Sequence, residues 1–193
     1  MMQYPAIYLA SASPRRQELL RQLGVAFDVV VTHVPETPAP GETARDYVQR
    51  LARTKAEAGA RLARERGLPV RPVLGADTEV VIDGEILGKP TDATHGRAML
   101  KRLAGRTHDV LTAVALVANG SVRTALSETR VTMARMTDAE IDSYWNSGEP
   151  ADKAGGYAIQ GRAAAFIERI EGSYSGVVGL PLYEVVQLLR AVQ

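Results

Sequence analysis

Two turn dipeptides constrain the fold of this chain more than any other feature. Asp83-Gly84 follows the apolar run Glu79 to Ile82, and Asn119-Gly120 separates Asp109 to Ala118 from Val122 to Met133. Such dipeptides tolerate positive φ at both central positions and close antiparallel hairpins. Helical patterns surround them. Ser13 caps a helix with Pro14 in its first turn and Gly24 at its end. Thr43 to Arg66 reads as a long helix ended by Gly67 and Pro69, and Asp92 to Leu103 as a helix closed by Gly105. Thr137 with Glu140 forms a capping box opening a helix to Asn146, and Leu182 to Val192 is the last helix. Ile7 to Ala10, Phe27 to Val31, Val73 to Ala76, Glu79 to Ile82 and Ala163 to Ile170 read as strands. His33 to Gly41, rich in Pro, Thr and Glu, reads as a long surface loop. Hairpins interleaved with helices predict an α/β fold in which a mixed twisted sheet is flanked by helices, not a purely parallel wind.

The 193 residues suit one domain spanning 1–193, and the 46% apolar content suits an ordinary packed core. The chain has no cysteine, which removes disulfides, thiolate metal sites and cysteine nucleophiles and agrees with a reducing compartment. Lys plus Arg number 23 against 22 Asp plus Glu, so no broad nucleic-acid-binding face is expected. The longest apolar stretch, Val110 to Ala118, is far too short to span a bilayer, and Met1 to Ile7 lacks the basic start of a secretory signal. The expected location is the cytoplasm, without a membrane partner.

Five segments carry polar groups in arrangements that chemistry uses. Ser11-Ala12-Ser13-Pro14-Arg15-Arg16 sets two hydroxyls and two guanidiniums at a helix start, whose unpaired N–H groups favour anions. The pattern fits a polyphosphate cradle, and equally a capped surface helix with solvated arginines. Lys55 shares a helix face with Tyr47, Val48, Leu51 and Leu62, so it needs an anion or an exit to solvent. Asp77, in Gly75-Ala76-Asp77-Thr78, lies between two apolar strands, where a charge is costly unless paired or metal-bound. Phosphoanhydride hydrolysis needs a divalent cation and a base that orients water, and Asp77 suits either, with Glu36 as a second carboxylate. The competing reading of Asp77 is a turn aspartate bonded to its own backbone.

Gly88-Lys89-Pro90 presents an ammonium after a hairpin, or is a plain loop. Asp152 to Gly161 is glycine-rich; Tyr157 can stack on a base, and the Gln160 amide can donate to a carbonyl and accept from an imide N–H, the pair that uracil and thymine display. A glycine-rich loop with a structural glutamine fits the same residues. The Gly-x-x-x-x-Gly-Lys-Ser/Thr phosphate loop and the Gly-x-Ser-x-Gly elbow are absent. His33, His95 and His108 lack metal-ligand spacing, and Tyr144 and Trp145 read as packing residues.

Taken together, Leu9 to Arg16, Gly75 to Thr78, Gly88 to Pro90, Asp152 to Gly161 and Gly172 to Pro181 resemble, in order and over nearly the whole chain, the Maf family of nucleoside triphosphate pyrophosphatases, also called septum-formation-inhibitor-like proteins. The resemblance implies a fold related to the inosine triphosphate pyrophosphatases, with a deep cleft between two lobes. It implies hydrolysis of a nucleoside triphosphate to monophosphate and pyrophosphate with Mg²⁺ or Mn²⁺. Carried over by position, Asp77 is the catalytic base; Arg15, Thr78 and Gln160 match positions of substrate choice. Ser13, Arg16, Lys55 and Lys89 match phosphate-binding positions, and Glu36 with Asp77 the metal-binding ones. The run Gly155 to Gly161 is similar to the dTTP- and UTP-preferring branch. The alternatives within the resemblance are 7-methyl-GTP or a non-standard purine triphosphate as substrate, and a non-catalytic nucleotide-binding regulator of cell division. The family pattern is compatible with a homodimer. Gly176 departs from it, since a larger residue, often Asn, is expected there.

Overall fold

The computed structural model describes residues 4–192, so the first three residues of the Met1 to Ile7 stretch lie outside it. Seven strands form one mixed sheet in the order β2-β1-β3-β5-β6-β7, with β4 paired to β3 off that path. The strands are β1 (Ile7–Leu9), β2 (Phe27–Val29), β3 (Val73–Ile82), β4 (Glu85–Ile86), β5 (Thr107–Ala118), β6 (Ser121–Met133) and β7 (Ile167–Glu171). The helices are α1 (Pro14–Gln22), α2 (Ala44–Glu65), α3 (Ala93–Leu103), α4 (Asp138–Asn146), α5 (Tyr174–Val178) and α6 (Leu182–Arg190). Among the described residues no helix is long and apolar enough to cross a membrane. The chain divides into two compact units: Met1–Asp77, Thr112–Ser127 and Gly179–Gln193 make the first, Thr78–Leu111 and Glu128–Val178 the second.

In the first unit β1 pairs in parallel with both β2 and β3, with Tyr8 opposite Val73 and Leu9 opposite Leu74. The helix starts are set locally. The Ser13 hydroxyl accepts from Arg16 N and the Thr43 hydroxyl from Asp46 N, satisfying donors that a helix leaves unpaired. The buried face of α2 runs through Tyr47, Val48, Leu51, Ala52, Lys55, Ala56, Gly59 and Ala63, at the three-and-four spacing of one helical stripe. Fully burying each of the larger apolar side chains stabilises by about 1.5–3 kcal/mol, which offsets the cost of carrying a lysine on that stripe. A smaller core cluster joins Tyr8, Ala10, Val30, Ala63 and Val73.

The second unit is built on the expected hairpin. Asp83 and Gly84 have φ of 55° and 78°, and Val81 and Ile82 pair antiparallel with Ile86 and Glu85. Asp92 caps α3, and Thr137 with Glu140 forms the capping box of α4. Trp145 packs so closely over Gly96 of α3 that a side chain there would overlap its ring, in line with a packing role. The core gathers Val80, Ile82, Leu100, Leu103, Val110, Val131, Met133, Ile141, Tyr144, Tyr157 and Ile159.

Two sequence expectations are corrected. Val73 to Ile82 is one unbroken strand, so Asp77 is a strand residue and not part of a turn. Ala163 to Ile170 begins as a 3₁₀ turn, Arg162–Phe166, and becomes a strand only at Ile167; the alanines there lack the β-branching that favours extended backbone. The short helix α5 carries no sequence signal of its own, its five residues being too few to show a period.

Candidate active site

The run β1-α1-β2-α2-β3 puts its strands in the order β2-β1-β3. From β1 the chain moves to one side, to β2, and then returns past β1 to β3. Connections therefore diverge between the carboxyl ends of β1 and β3, the place where open α/β sheets bind ligands. One polar cluster follows the carboxyl end of β1; the other is centred on Asp77, inside β3 and three residues beyond its last pairing with β1, Leu74 opposite Leu9.

The first cluster follows β1. Ser11 Oγ accepts from Ser13 N at 3.2 Å and from Arg16 Nη1 at 3.2 Å. Arg16 Nε donates to the Gly179 carbonyl at 2.8 Å, so the guanidinium ties the start of α1 to the segment before α6. Ser13 caps the helix through Arg16 N at 3.4 Å. Arg15 is half-buried on the same first turn.

The second cluster is centred on Asp77. Alternation along β3 puts Gly75 and Asp77 on one face, the face that meets α2. A Cβ on Gly75 would overlap the Ala52 carbonyl oxygen and the Ala56 nitrogen, so only glycine lets α2 lie this close. That approach brings Lys55 to the carboxylate: Lys55 Nζ is 2.7 Å from Asp77 Oδ1 and 2.7 Å from Glu36 Oε1. The Lys55 and Asp77 side chains are 11% and 7% exposed, and that of Glu36 is 50% exposed. Asp77 Oδ2 is buried with no hydrogen-bond partner. Of the two expectations for Lys55, an anion or an exit to solvent, the first holds, with two carboxylates of this chain as partners.

Glu36 is held on its loop by residues that the sequence reading passed over. Arg50 of α2 grips Glu42 at 2.6 and 2.7 Å and donates to the Thr37 carbonyl at 3.2 Å, while Glu42 accepts from Ala39 N at 2.9 Å. The Arg50 guanidinium and the Ala39 N–H hold the Glu42 carboxyl down at about 2. No local spacing marks the Arg50 contacts, because Glu42 and Thr37 lie eight and 13 residues from it, on the loop.

The remaining expected site residues belong to the second unit. Thr78 is partly buried on β3, Lys89 is exposed beyond β4, and Gln160 is exposed on the glycine-rich segment. Tyr157 does not serve as a base platform. It is 5% exposed and its hydroxyl lies 2.8 Å from His108 Nε2, the two rings meeting edge to face at 5.4 Å. Burial pushes its phenol upward and pushes His108 down to about 4. Gly176 is buried in α5, its N–H bonded to Ser173 Oγ at 3.0 Å.

A family model described as Maf-like protein matches residues 6–192. The chain is 55% identical over 190 residues to the dTTP/UTP pyrophosphatase of Cupriavidus pinatubonensis, covering 95% of each. It is 53% identical over 194 residues to that of Aromatoleum aromaticum, covering 96% of this chain and 94% of the relative. Among solved structures, the Ham1 protein of Staphylococcus aureus matches distantly, with a TM-score of 0.43 at 15% identity over 67% of this chain and 72% of that one. With the family's pattern matched from end to end, the chain belongs to the Maf-like protein family.

Proposed function

We propose that the chain hydrolyses dTTP and UTP to the nucleoside monophosphate and pyrophosphate, with Asp77 as the base. The observation that carries the reading is the state of Asp77. It is a buried carboxylate inside β3, just past the point where β1 ends beside it, with one oxygen ion-paired to Lys55 and the other without a partner. A buried acid so arranged is expensive as structure and typical of a working site. The relatives of 53–55% identity, matched over nearly their full length, bear the name dTTP/UTP pyrophosphatase, which supports the substrate pair. The family model's span of 6–192 supports treating the whole chain as one catalytic domain.

The residues fit a divalent cation. Asp77 Oδ2 is an unused buried oxygen, and Glu36 is a second carboxylate joined to it through Lys55. Asp77 and Glu36 are the two carboxylates that would hold it, a donor set of the oxygen type that Mg²⁺ takes alongside substrate phosphates. Bound there, Mg²⁺ or Mn²⁺ supplies neutralisation of phosphate charge. Asp77 orients a water for in-line attack at the α-phosphorus and takes up its proton. The bond from the α-phosphorus to the bridging oxygen breaks, and pyrophosphate leaves. Lys55 holds Asp77 and Glu36 in place and adds positive charge beneath the phosphates. The start of α1, with Ser13, Arg15 and Arg16, offers N–H groups and guanidiniums to the polyphosphate. Lys89 is assigned to phosphate contact, and Thr78 and Gln160 to substrate choice, with the Gln160 amide reading the carbonyl and imide of uracil or thymine. The cysteine-free composition suits the cytoplasm, where nucleotide pools lie.

The test is a panel of dTTP, UTP, CTP, 7-methyl-GTP and inosine triphosphate, with pyrophosphate release followed with and without Mg²⁺. The thymine methyl is worth about 1–3 kcal/mol in a close pocket, so dTTP and UTP are both turned over, and both ahead of CTP, only with metal. Preference for 7-methyl-GTP or the purine would overturn the substrate assignment. Tight nucleotide binding without metal-dependent turnover would overturn hydrolysis.

A further inference from the structure

Gln160 sits on a braced turn. Gly161 N donates to the Ala158 carbonyl at 3.0 Å, closing a turn over Ile159 and Gln160 that leaves Gln160 exposed. Ahead of the turn, Ala158 N donates to Tyr144 Oη at 3.1 Å. Behind it, Arg162 N donates to Glu149 Oε2 at 3.0 Å. The Tyr144 hydroxyl in turn donates to Glu149 Oε1 at 2.7 Å, so phenol and carboxylate form one linked brace across both ends. Gly161 completes the fit, because a Cβ there would overlap the Glu149 carboxylate. Lys153 Nζ, donating to the Glu149 carbonyl at 3.2 Å, anchors the brace at its base.

We propose that Tyr144 and Glu149 are positioning residues that hold the Gln160 turn in one geometry and thereby set which base the enzyme accepts. The proposal rests on the reading of Gln160 as the base-recognising side chain. The direction of each bond is fixed by charge. Burial raises the Glu149 carboxyl, yet the Arg162 N–H and the Tyr144 hydroxyl outweigh it and leave it lowered. Burial and the Glu149 contact raise the Tyr144 phenol, so it stays neutral and can donate. Bonds to an ionised acceptor are the stronger kind, and a phenol 4% exposed among core side chains has little room to shift. The brace therefore transmits the rigidity of α4 to a turn closed by the Gly161 N–H to Ala158 carbonyl bond.

The experiment compares Tyr144→Phe, Glu149→Gln and Gln160→Ala on dTTP, UTP and CTP, with amide NMR of Ala158 and Arg162 as a second readout. The brace predicts that Tyr144→Phe and Glu149→Gln raise KM for dTTP about tenfold and narrow the dTTP-to-CTP ratio of kcat/KM by a similar factor, with kcat changed by no more than about twofold. Both amide signals move in Glu149→Gln. If either variant fails to fold, the other decides. An unchanged ratio in a folded brace variant, alongside a collapsed ratio in Gln160→Ala, overturns the brace while leaving the Gln160 reading intact. An unchanged ratio in Gln160→Ala overturns the Gln160 reading instead, and a shift confined to the brace variants then assigns base choice to another residue of the turn.

Discussion

Replacing Lys55 with Met isolates the central ion pair. Methionine keeps most of the stem that packs on the α2 stripe and removes only the ammonium. Asp77, whose side chain is 7% exposed and whose Oδ2 already lacks a partner, would then be a buried carboxylate with neither oxygen paired. Removing one member of a buried pair costs about 3–5 kcal/mol. For a chain of this size each kcal/mol moves the midpoint by about 2–4 °C, so the variant should melt roughly 6–20 °C lower. The attribution is checked by repeating the change in an Asp77→Asn background, where no buried charge is left unpaired and only the half-exposed Glu36 pair and a hydrogen bond to the amide oxygen remain to be lost. A pair that open is worth about 0–1 kcal/mol, so most of the cost should vanish. Thermal unfolding of the four proteins at neutral pH measures the cycle. A Lys55→Met cost that is the same in both backgrounds, or below about 0.5 kcal/mol, would refute the reasoning.

Three further predictions follow from single contacts. Gly75→Ala puts a methyl group into the α2 backbone; overpacking of this kind costs about 1–3 kcal/mol, and turnover should fall as Lys55 is pushed from Asp77. Wild-type stability and activity in that variant would contradict the close helix–strand approach. His108, held down at about 4 by burial, stays neutral in the folded protein while the unfolded chain protonates near 6.5. Stability is thus fully present above pH 6.5 and falls by up to about 1.4 kcal/mol per pH unit between 6.5 and 4, a slope that His108→Gln should lack in urea titrations. Arg50→Ala frees the loop bearing Glu36 and should raise the Mg²⁺ concentration for half-maximal turnover; an unchanged metal titration would separate the Glu42–Arg50 clamp from metal binding.

Helix boundaries and turns were legible because their signals are local. Ser13, Thr43, Asp92 and Thr137 each cap the helix that follows, and Asp83-Gly84 and Asn119-Gly120 sit where both turns form. The continuity of β3 was hidden, since Asp77-Thr78 looks like punctuation until α2 supplies a lysine to pair the acid. That partner lies 22 residues away, and only the helix stripe carrying Lys55 hinted at it. Tyr157 is polar and aromatic beside glycines, which suits a base platform; its burial against His108 depends on β5, 49 residues earlier. The Tyr144–Glu149 brace and the Glu42–Arg50 clamp involve ordinary side chains whose roles arise only from what the fold brings into hydrogen-bond reach.

The claim on which the account turns is that Asp77 activates the attacking water. Asparagine at that position keeps the shape and leaves Lys55 paired with Glu36. Pyrophosphate release from dTTP with saturating Mg²⁺, measured on folded Asp77→Asn protein, should fall by about 10²–10⁴-fold. Turnover within a few fold of wild type in that variant would contradict it.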